Sequence, residues 1–523
     1  MSAVSQSFEE LAKENAELKK QCEQQNNEIQ YLREQLANLK KAVFASRTEK
    51  TRELIPPDQL NLFDEAEQEA NERIPEPAVA ETMVKEHTRK KHSRNEKAAQ
   101  LPHEKEVCDA PEEEKHCELH PEAELVEIAE KFVRTEVRYI PAQVHVVDIY
   151  QKVYQCPECK KEGRFGLKKA EVPPSLLPHS LATPALAAQV LTQKYEMGVP
   201  FHRQEKAWKE LSFPLTRTTM ANWTMALNKY YLAPLMDHMR QRLLGEAVLH
   251  ADETTVQVHR EKGRKNNADS YMWVYCTSPL AAEPAIRIFE YRPGRRGEYA
   301  KEFLKGFRGT LIHDQYKGYN KVECVTHAGC WAHLRRKFVE AMVGQAASPE
   351  STAGQAVLRL KEIFAIESSL QELTAEERRK KRLDQEKPLV EAFFSWLEKL
   401  KATIVPKSKL GEAVIYALEG KKSYLTYLED GNVSMTNAAA ENAIRPFAVG
   451  RKNWLFSDSP KGASASAAFY SMIETCKANH ISASKYLTYI FTEMPKEASL
   501  SSSETLESYM PWNELIQKTC KAN

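Results

Sequence analysis

Short runs rich in β-branched and aromatic residues follow one another from residue 247 to residue 291. Their order constrains the fold more than any other feature of this 523-residue chain. The first run is Ala247-Val248-Leu249-His250-Ala251-Asp252. Tyr271–Thr277 and Ala285–Tyr291 follow, each of strand length and bounded by polar or Gly- and Pro-bearing turns. Gly297–Phe307 then reads as a helix, Leu311–Asp314 as a fourth strand and Val322–Thr326 as a fifth. Trp331–Met342 reads as a basic helix with Arg335, Arg336 and Lys337.

Three strands, a helix and a strand ending in Asp is the order of an RNase H-like α/β core. In that arrangement Asp252 and Asp314 end neighbouring strands. Residues 345–430 carry no strand pattern, and helical runs such as Gln355–Leu373 and Leu389–Lys401 fill them, so a helical insertion is expected. Beyond it lies Glu441, after the good N-cap residue Asn437, on a short helix closed by Pro446. Asp252, Asp314 and Glu441, brought together, repel one another unless cations neutralise them. Hard carboxylate oxygens suit two Mg2+ or Mn2+ ions, and such a pair can cut and rejoin phosphodiesters. With 73 acidic residues in the chain, strand-end placement is what singles these three out.

Cationic groups surround the acids. Arg445 is one turn after Glu441. Arg451, Lys452 and Trp454 could grip a DNA backbone and stack a terminal base, although core packing of the Trp454 indole is the blander reading. His327, Cys330 and His333 invite a metal, but such residues are more often structural.

The flanking segments are of different kinds. Phe8, Leu11, Asn15, Leu18, Cys22, Gln25, Ile29, Leu32, Leu36, Leu39 and Val43 alternate spacings of three and four. That spacing predicts a coiled coil, and Asn15 at an a position favours a parallel homodimer. A Pro- and acid-rich linker and a basic arm, Thr88–Lys97, come next. Cys117-x2-His120 and Cys156-x2-Cys159 offer four ligands in two close pairs, as in a structural zinc ribbon. Helices over Pro184–Met197, Phe201–Leu211 and Met220–Tyr231 suit a helix-turn-helix whose Arg217, Thr218, Thr219 and Asn222 face DNA. Net charge is only +1, so any nucleic-acid contact must come from local patches. Ten scattered cysteines fit a reducing compartment rather than a disulfide framework. No apolar run approaches membrane-spanning length, and a cytoplasmic protein is expected.

Taken together, several stretches resemble the IS66-family transposases of bacterial insertion sequences. They are Cys330-Trp-Ala-His-Leu-Arg-Arg-Lys-Phe338, Asn437–Arg445 running into Gly450-Arg-Lys-Asn-Trp-Leu-Phe456, Ser471–Lys477, Pro200–Glu205 and Arg47–Lys50. The resemblance implies a DDE catalytic core with Asp252, Asp314 and Glu441 as its acids. It also implies a zipper, a zinc segment and a DNA-binding helical part, with cleavage at inverted-repeat ends and strand transfer into target DNA. Its partners would be double-stranded DNA, a second copy of the chain and any accessory proteins of the same element, in a nucleoid-associated setting. His120 departs from the second Cys usual at that position.

The expected architecture is multidomain α+β. It comprises a coiled coil (1–50), a linker with the basic arm (51–104), a zinc-binding segment (105–172) and a helix-turn-helix-like domain (173–240). The catalytic core follows in two parts (241–344 and 431–480) around the insertion (345–430), before a helical tail (481–523). Two other readings stay open: a transposase-derived DNA-binding protein without catalysis, and a general RNase H-like nuclease.

Overall fold

The computed structural model describes residues 167–280, 284–342 and 351–522 throughout, with parts of 13–29 and 107–163. The chain divides into two compact units, Ser46–Val146 and the remainder. Of the expected zipper, the described residues between Lys13 and Ile29 are helical and exposed, Leu18 and Ile29 among them. The linker and basic arm lie outside the described residues.

In the smaller unit, β1 (His116–Cys117) pairs antiparallel with β2 (His120–Glu124), and Cys117 is the register partner of His120. In the larger unit, β3 (Val153–Gln155) and β4 (Leu167–Lys169) form a second antiparallel pair with α1 (Pro157–Lys161) between them. Four helices follow: α2 (Pro184–Tyr195), α3 (Phe201–Glu210), α4 (Arg217–Leu227) and α5 (Ala233–Leu244). The third starts three residues before the expected Met220, because Thr216 caps it by accepting from the Thr219 backbone N–H at 3.2 Å.

The sheet then forms from β5 (Val248–Val258), β6 (Asp269–Thr277), β7 (Arg287–Arg292), β8 (Thr310–His313) and β9 (Thr326–Gly329), in the spatial order β7-β6-β5-β8-β9. The first three strands are antiparallel, and β8 and β9 run parallel to β5. Helix α6 (Gly297–Phe303) precedes β8 and α7 (Trp331–Glu340) follows β9. Two expectations need correction. The first strand does not stop at Asp252 but continues to Val258, because β6 pairs with it along nearly its whole length. The fifth begins at Thr326, because the Val322–Thr326 run leads into the pairing rather than making it.

Residues 352–429 are helical: α8 (Thr352–Ser369), α9 (Ala375–Lys381), α10 (Lys387–Lys401), α11 (Lys409–Glu419) and α12 (Lys421–Glu429). They share a core with the sheet. Ile312 and Ala328 join Trp331, Leu334 and Phe338 of α7, which join Val390, Phe394, Val414, Tyr424 and Tyr427. The buried Trp331 indole N–H donates to the Tyr424 carbonyl at 3.0 Å. Burial of this many large apolar side chains, each of which costs about 3–5 kcal/mol when a Phe or Trp is cut to Ala, fixes these helices to the sheet.

Helix α13 (Ala438–Trp454) carries Glu441 and is followed by β10 (Phe456–Ser457), which pairs parallel with the end of β5. This helix is not closed by Pro446, which lies inside it. The missing Pro N–H removes one intrahelical bond without ending the helix. Leu455, at φ 64°, ends it. Helix α14 (Pro460–Ala478) covers β7 at the sheet edge: its Ser471 and Thr475 hydroxyls accept from the Phe289 and Arg287 backbone N–H groups at 2.8 and 3.1 Å. Those donors would otherwise be an open template for another strand. Helix α15 (Ala483–Glu493) and α14 also pack on the helices that precede the sheet.

Candidate active site

The site is an opening in the sheet beside β5. One edge of β5 pairs with β6. The other is divided: β8 pairs with Val248–His250 and β10 with Gln257–Val258. Helix α13 lies along the interval between them. At one end Asn437 Nδ2 donates to the Ala251 carbonyl at 2.9 Å, and at the other Arg451 Nη1 donates to the Thr255 carbonyl. Asn437 Oδ1 also meets the buried His250 Nδ1 at 3.0 Å. Asn437 takes the N-cap position as expected, but its side chain makes no capping bond to its own helix; it ties the helix to β5 instead.

Parallel register brings the two Asp residues together. His250 aligns with Ile312, so Asp252, two residues on, comes alongside Asp314 just past the end of β8. The Asp314 Oδ1 accepts from the Tyr316 backbone N–H at 2.9 Å, a tight turn in which Gln315 adopts φ 70°. Burial drives the Asp252 carboxyl pKa well above the ordinary range, and repulsion from Glu253, Asp314 and Glu441 adds to it. The fold thus assembles the three predicted acids within electrostatic reach of one another.

A fourth acid accompanies them. Glu253 is buried, its Oε1 2.7 Å from Arg295 Nε and its Oε2 accepting from Tyr319 Oη at 2.5 Å. Burial and the Asp314 charge push its pKa up to about 7, against the opposing pull of Arg295 and Tyr319. Arg295 also reaches Asp314 Oδ2 at 3.7 Å and lies over the Tyr316 ring. Sequence reading missed both residues. Glu253 looks like a polar neighbour of Asp252, and Arg295 sits in a turn-like Arg-Pro-Gly-Arg-Arg-Gly stretch; nothing local joins them.

Glu441 faces α7. Its Oε1 lies 3.4 Å from His333 Nδ1 and 3.9 Å from Cys330 Sγ. His327 does not join these two. Its Nδ1 meets His313 Nε2 at 3.1 Å, while His313 Nδ1 accepts from the Gln315 backbone N–H. Burial and the neighbouring ring lower the His313 pKa to about 3, and burial lowers that of His327.

The other candidates separate by exposure. Arg335, Lys337, Arg445 and Lys452 are exposed, and Arg336 is half-buried. Arg451 turns inward to β5, bonding Thr254 and Thr255, so its guanidinium braces the sheet. Trp454 is half-buried, 6.5 Å from the Tyr470 ring and beneath Lys194, in keeping with the packing reading. Arg217, Thr218 and Asn222 are exposed on α4, whose Arg217 backbone N–H is taken by Glu205 Oε1 at 3.1 Å. Of the four residues expected to bind zinc, Cys156 is exposed after β3 and Cys159 lies in α1, while Cys117 and His120 belong to β1 and β2 of the smaller unit. The side chains of Cys117, His120 and Cys159 lie outside the described residues.

A mixed sheet carrying this site is found here in a transposase. Residues 179–465, more than half of the chain and all of the large sheet, match the family model described as "Transposase IS66 family". Residues 31–105 match one described as "Transposase C of IS166 homeodomain". The chain belongs to the IS66 transposase family. It is also similar to three proteins of Sinorhizobium fredii (strain NBRC 101917 / NGR234), each described as uncharacterized. It is 28% identical to y4hP over 88% of this chain and 85% of that one. It is 28% identical to y4qI over 68% and 67%, and 26% identical to y4jD over 72% and 73%.

Proposed function

We propose that this chain is an active DDE transposase, which binds the inverted-repeat ends of its insertion sequence and catalyses metal-dependent strand cleavage and strand transfer. One observation carries the reading: Asp252, Asp314 and Glu441 converge at an opening in the sheet with too little positive charge to balance them. The sheet order β7-β6-β5-β8-β9, antiparallel then parallel, supports an RNase H-like core.

The donor set fits Mg2+ or Mn2+. Asp252 sits among the like charges of Glu253, Asp314 and Glu441, while Arg295 pairs with Glu253 and Asp314, and carboxylate oxygens are the donors such ions prefer. Asp252, Asp314 and Glu441 would hold two ions, whose chemistry is to activate water or a 3′-hydroxyl and to neutralise the leaving oxygen. The protein's own part is positional. Asn437 and Arg451 fix the helix that presents Glu441. The Tyr316 backbone N–H orients Asp314, and Arg295 holds Glu253 beside it. Exposed Arg335, Lys337, Arg445 and Lys452, with Arg217, Thr218 and Asn222 on α4, would contact DNA, chiefly its phosphates. Exposed Leu18 and Ile29 at heptad positions support a homodimer through the zipper. Structural zinc at Cys117, His120, Cys156 and Cys159 belongs to the same reading. No helix among the described residues is long and apolar enough to cross a membrane.

The test is incubation of the protein with duplexes carrying the element's ends, in Mg2+ or Mn2+, with break positions mapped on both strands. Nicks at the repeat termini, followed by joining to a target duplex, are expected. A footprint on the ends without cleavage in Mn2+ overturns the catalytic reading. Equally fast digestion of unrelated duplexes points to a general nuclease.

A further inference from the structure

Cys330, His333 and Glu441 converge from two helices. Cys330 is the residue before α7 and His333 lies in its first turn, while Glu441 comes from the first turn of α13. Their Sγ, imidazole N and carboxylate O atoms all lie within 4.8 Å of one another. Ligands around a tetrahedral ion with bonds of about 2.0–2.3 Å stand about 3.3–3.8 Å apart. The His333–Glu441 and Cys330–Glu441 separations are 3.4 and 3.9 Å, close to that spacing, and the third pair lies within 4.8 Å.

Two further observations point to a ligand. His333 Nδ1 is buried and makes no hydrogen bond despite its nearness to Glu441, so its lone pair or proton is unused. Cys330 Sγ accepts from the Asn437 backbone N–H at 3.1 Å and from the backbone N–H groups of Ala332 and His333 at the start of α7. Burial and the nearby Glu441 carboxylate push the Cys330 thiol up to about 12; these donors oppose that rise and orient the sulfur as a ligand.

We propose that Cys330, His333 and Glu441 form a three-ligand site for a borderline divalent ion of the zinc class, chemically distinct from the all-oxygen Mg2+ or Mn2+ arrangement. Thiolate, imidazole and carboxylate together select such an ion over Mg2+. On binding, the Cys330 S–H bond breaks, the S–metal bond forms and the proton leaves to solvent. Glu441 is shared with the proposed catalytic set, so a zinc-class ion held here competes for that carboxylate.

The experiment is a Co2+ titration of the full-length, metal-free protein followed by absorption. A second form carries Cys117→Ser, Cys156→Ser and Cys159→Ser to silence the other candidate ligands. A near-ultraviolet thiolate-to-cobalt band with visible tetrahedral bands is expected in both forms, with the intensity of one thiolate in the second. Cys330→Ser abolishes that band in the second form and removes one thiolate's worth from the first. His333→Ala and Glu441→Gln each weaken Co2+ by at least about tenfold. Zn2+ displaces the Co2+, and Mg2+ at the same concentration does not. The proposal is overturned by a band indifferent to Cys330→Ser, by its absence from the first form, or by displacement with equimolar Mg2+. Thermal melting of each variant separates ligand loss from unfolding. No DNA cleavage enters the readout, so failure here and failure of the catalytic reading are distinguishable.

Discussion

The larger unit holds two buried charged centres built to opposite rules. In the helical insertion, Arg382 is fully buried and its donors are matched. It bonds Glu367 at 2.9 and 2.5 Å and the carbonyls of Tyr427, Asp430 and Val433 at 2.8, 3.1 and 3.0 Å. Arg378 beside it takes the carbonyls of Leu370, Gln371, Leu373 and Gly431. At the sheet opening, by contrast, Asp252, Glu253, Asp314 and Glu441 crowd together and Arg295 answers only two of them. A buried charge that is matched holds a fold together; a buried charge left unmatched marks where something from outside must bind.

Asp252→Asn should break the contrast most sharply. Strand cleavage should fall by about 10³-fold or more, since several kcal/mol of transition-state stabilisation is lost. The metal-free protein should meanwhile gain about 1 kcal/mol in denaturant melts as repulsion is relieved. A loss of stability would mean that the acids are structural. In the insertion the sign reverses: Arg382→Met should cost about 3–5 kcal/mol, because Glu367 and three carbonyls lose their partner. A neutral result, read by the same melts, would erase the distinction.

Mg2+ supplies a third comparison. At a hundredfold excess over its dissociation constant it should stabilise the wild type by about 2.7 kcal/mol. It should do far less for Asp314→Asn and nothing different for Arg382→Met, as calorimetry would show. A last comparison concerns Glu386, the insertion's own imperfect match. Burial and the Glu367 charge push its pKa up to about 8, against the pull of Tyr427 and Arg382. A carboxyl raised above its unfolded value of 4.5 binds more protons folded than unfolded between about pH 4.5 and 8. Stability therefore declines as pH rises through that window, by at most about 1.4 kcal/mol per unit. Glu386→Gln should flatten this slope in melts taken from pH 5 to 8.

Much of this was legible in the chain and some could not be. Tyr271–Thr277 announced β6 through its aromatic and β-branched content, and Leu311 and Ile312 announced β8. The end of β5 was missed because the apolar run breaks at Asp252 and Glu253, although the β-branched Thr254–Val258 stretch was a legible sign that the strand continues. Pro446 looked like a helix terminator because local propensity cannot see two ties from α13 to one strand. The three acids could be named from strand order and motif. Glu253 and Arg295, 42 residues apart, meet only through folding. The Ser471–Lys477 motif drew notice as a signature and turns out to contribute hydroxyls that seal the edge of β7.

The two ties at the ends of α13 make that helix a gauge. Asn437 and Arg451 are anchored to carbonyls of one strand, and Glu441 takes its bearing from both. Each residue of an α-helix turns the next by about 100° and advances it by about 1.5 Å. Deleting one residue between Glu441 and Arg451 would keep the composition yet swing the carboxylate away from Asp252 or pull the guanidinium off β5. Substitutions along this stretch are open to the protein wherever volume permits; a change of length is not.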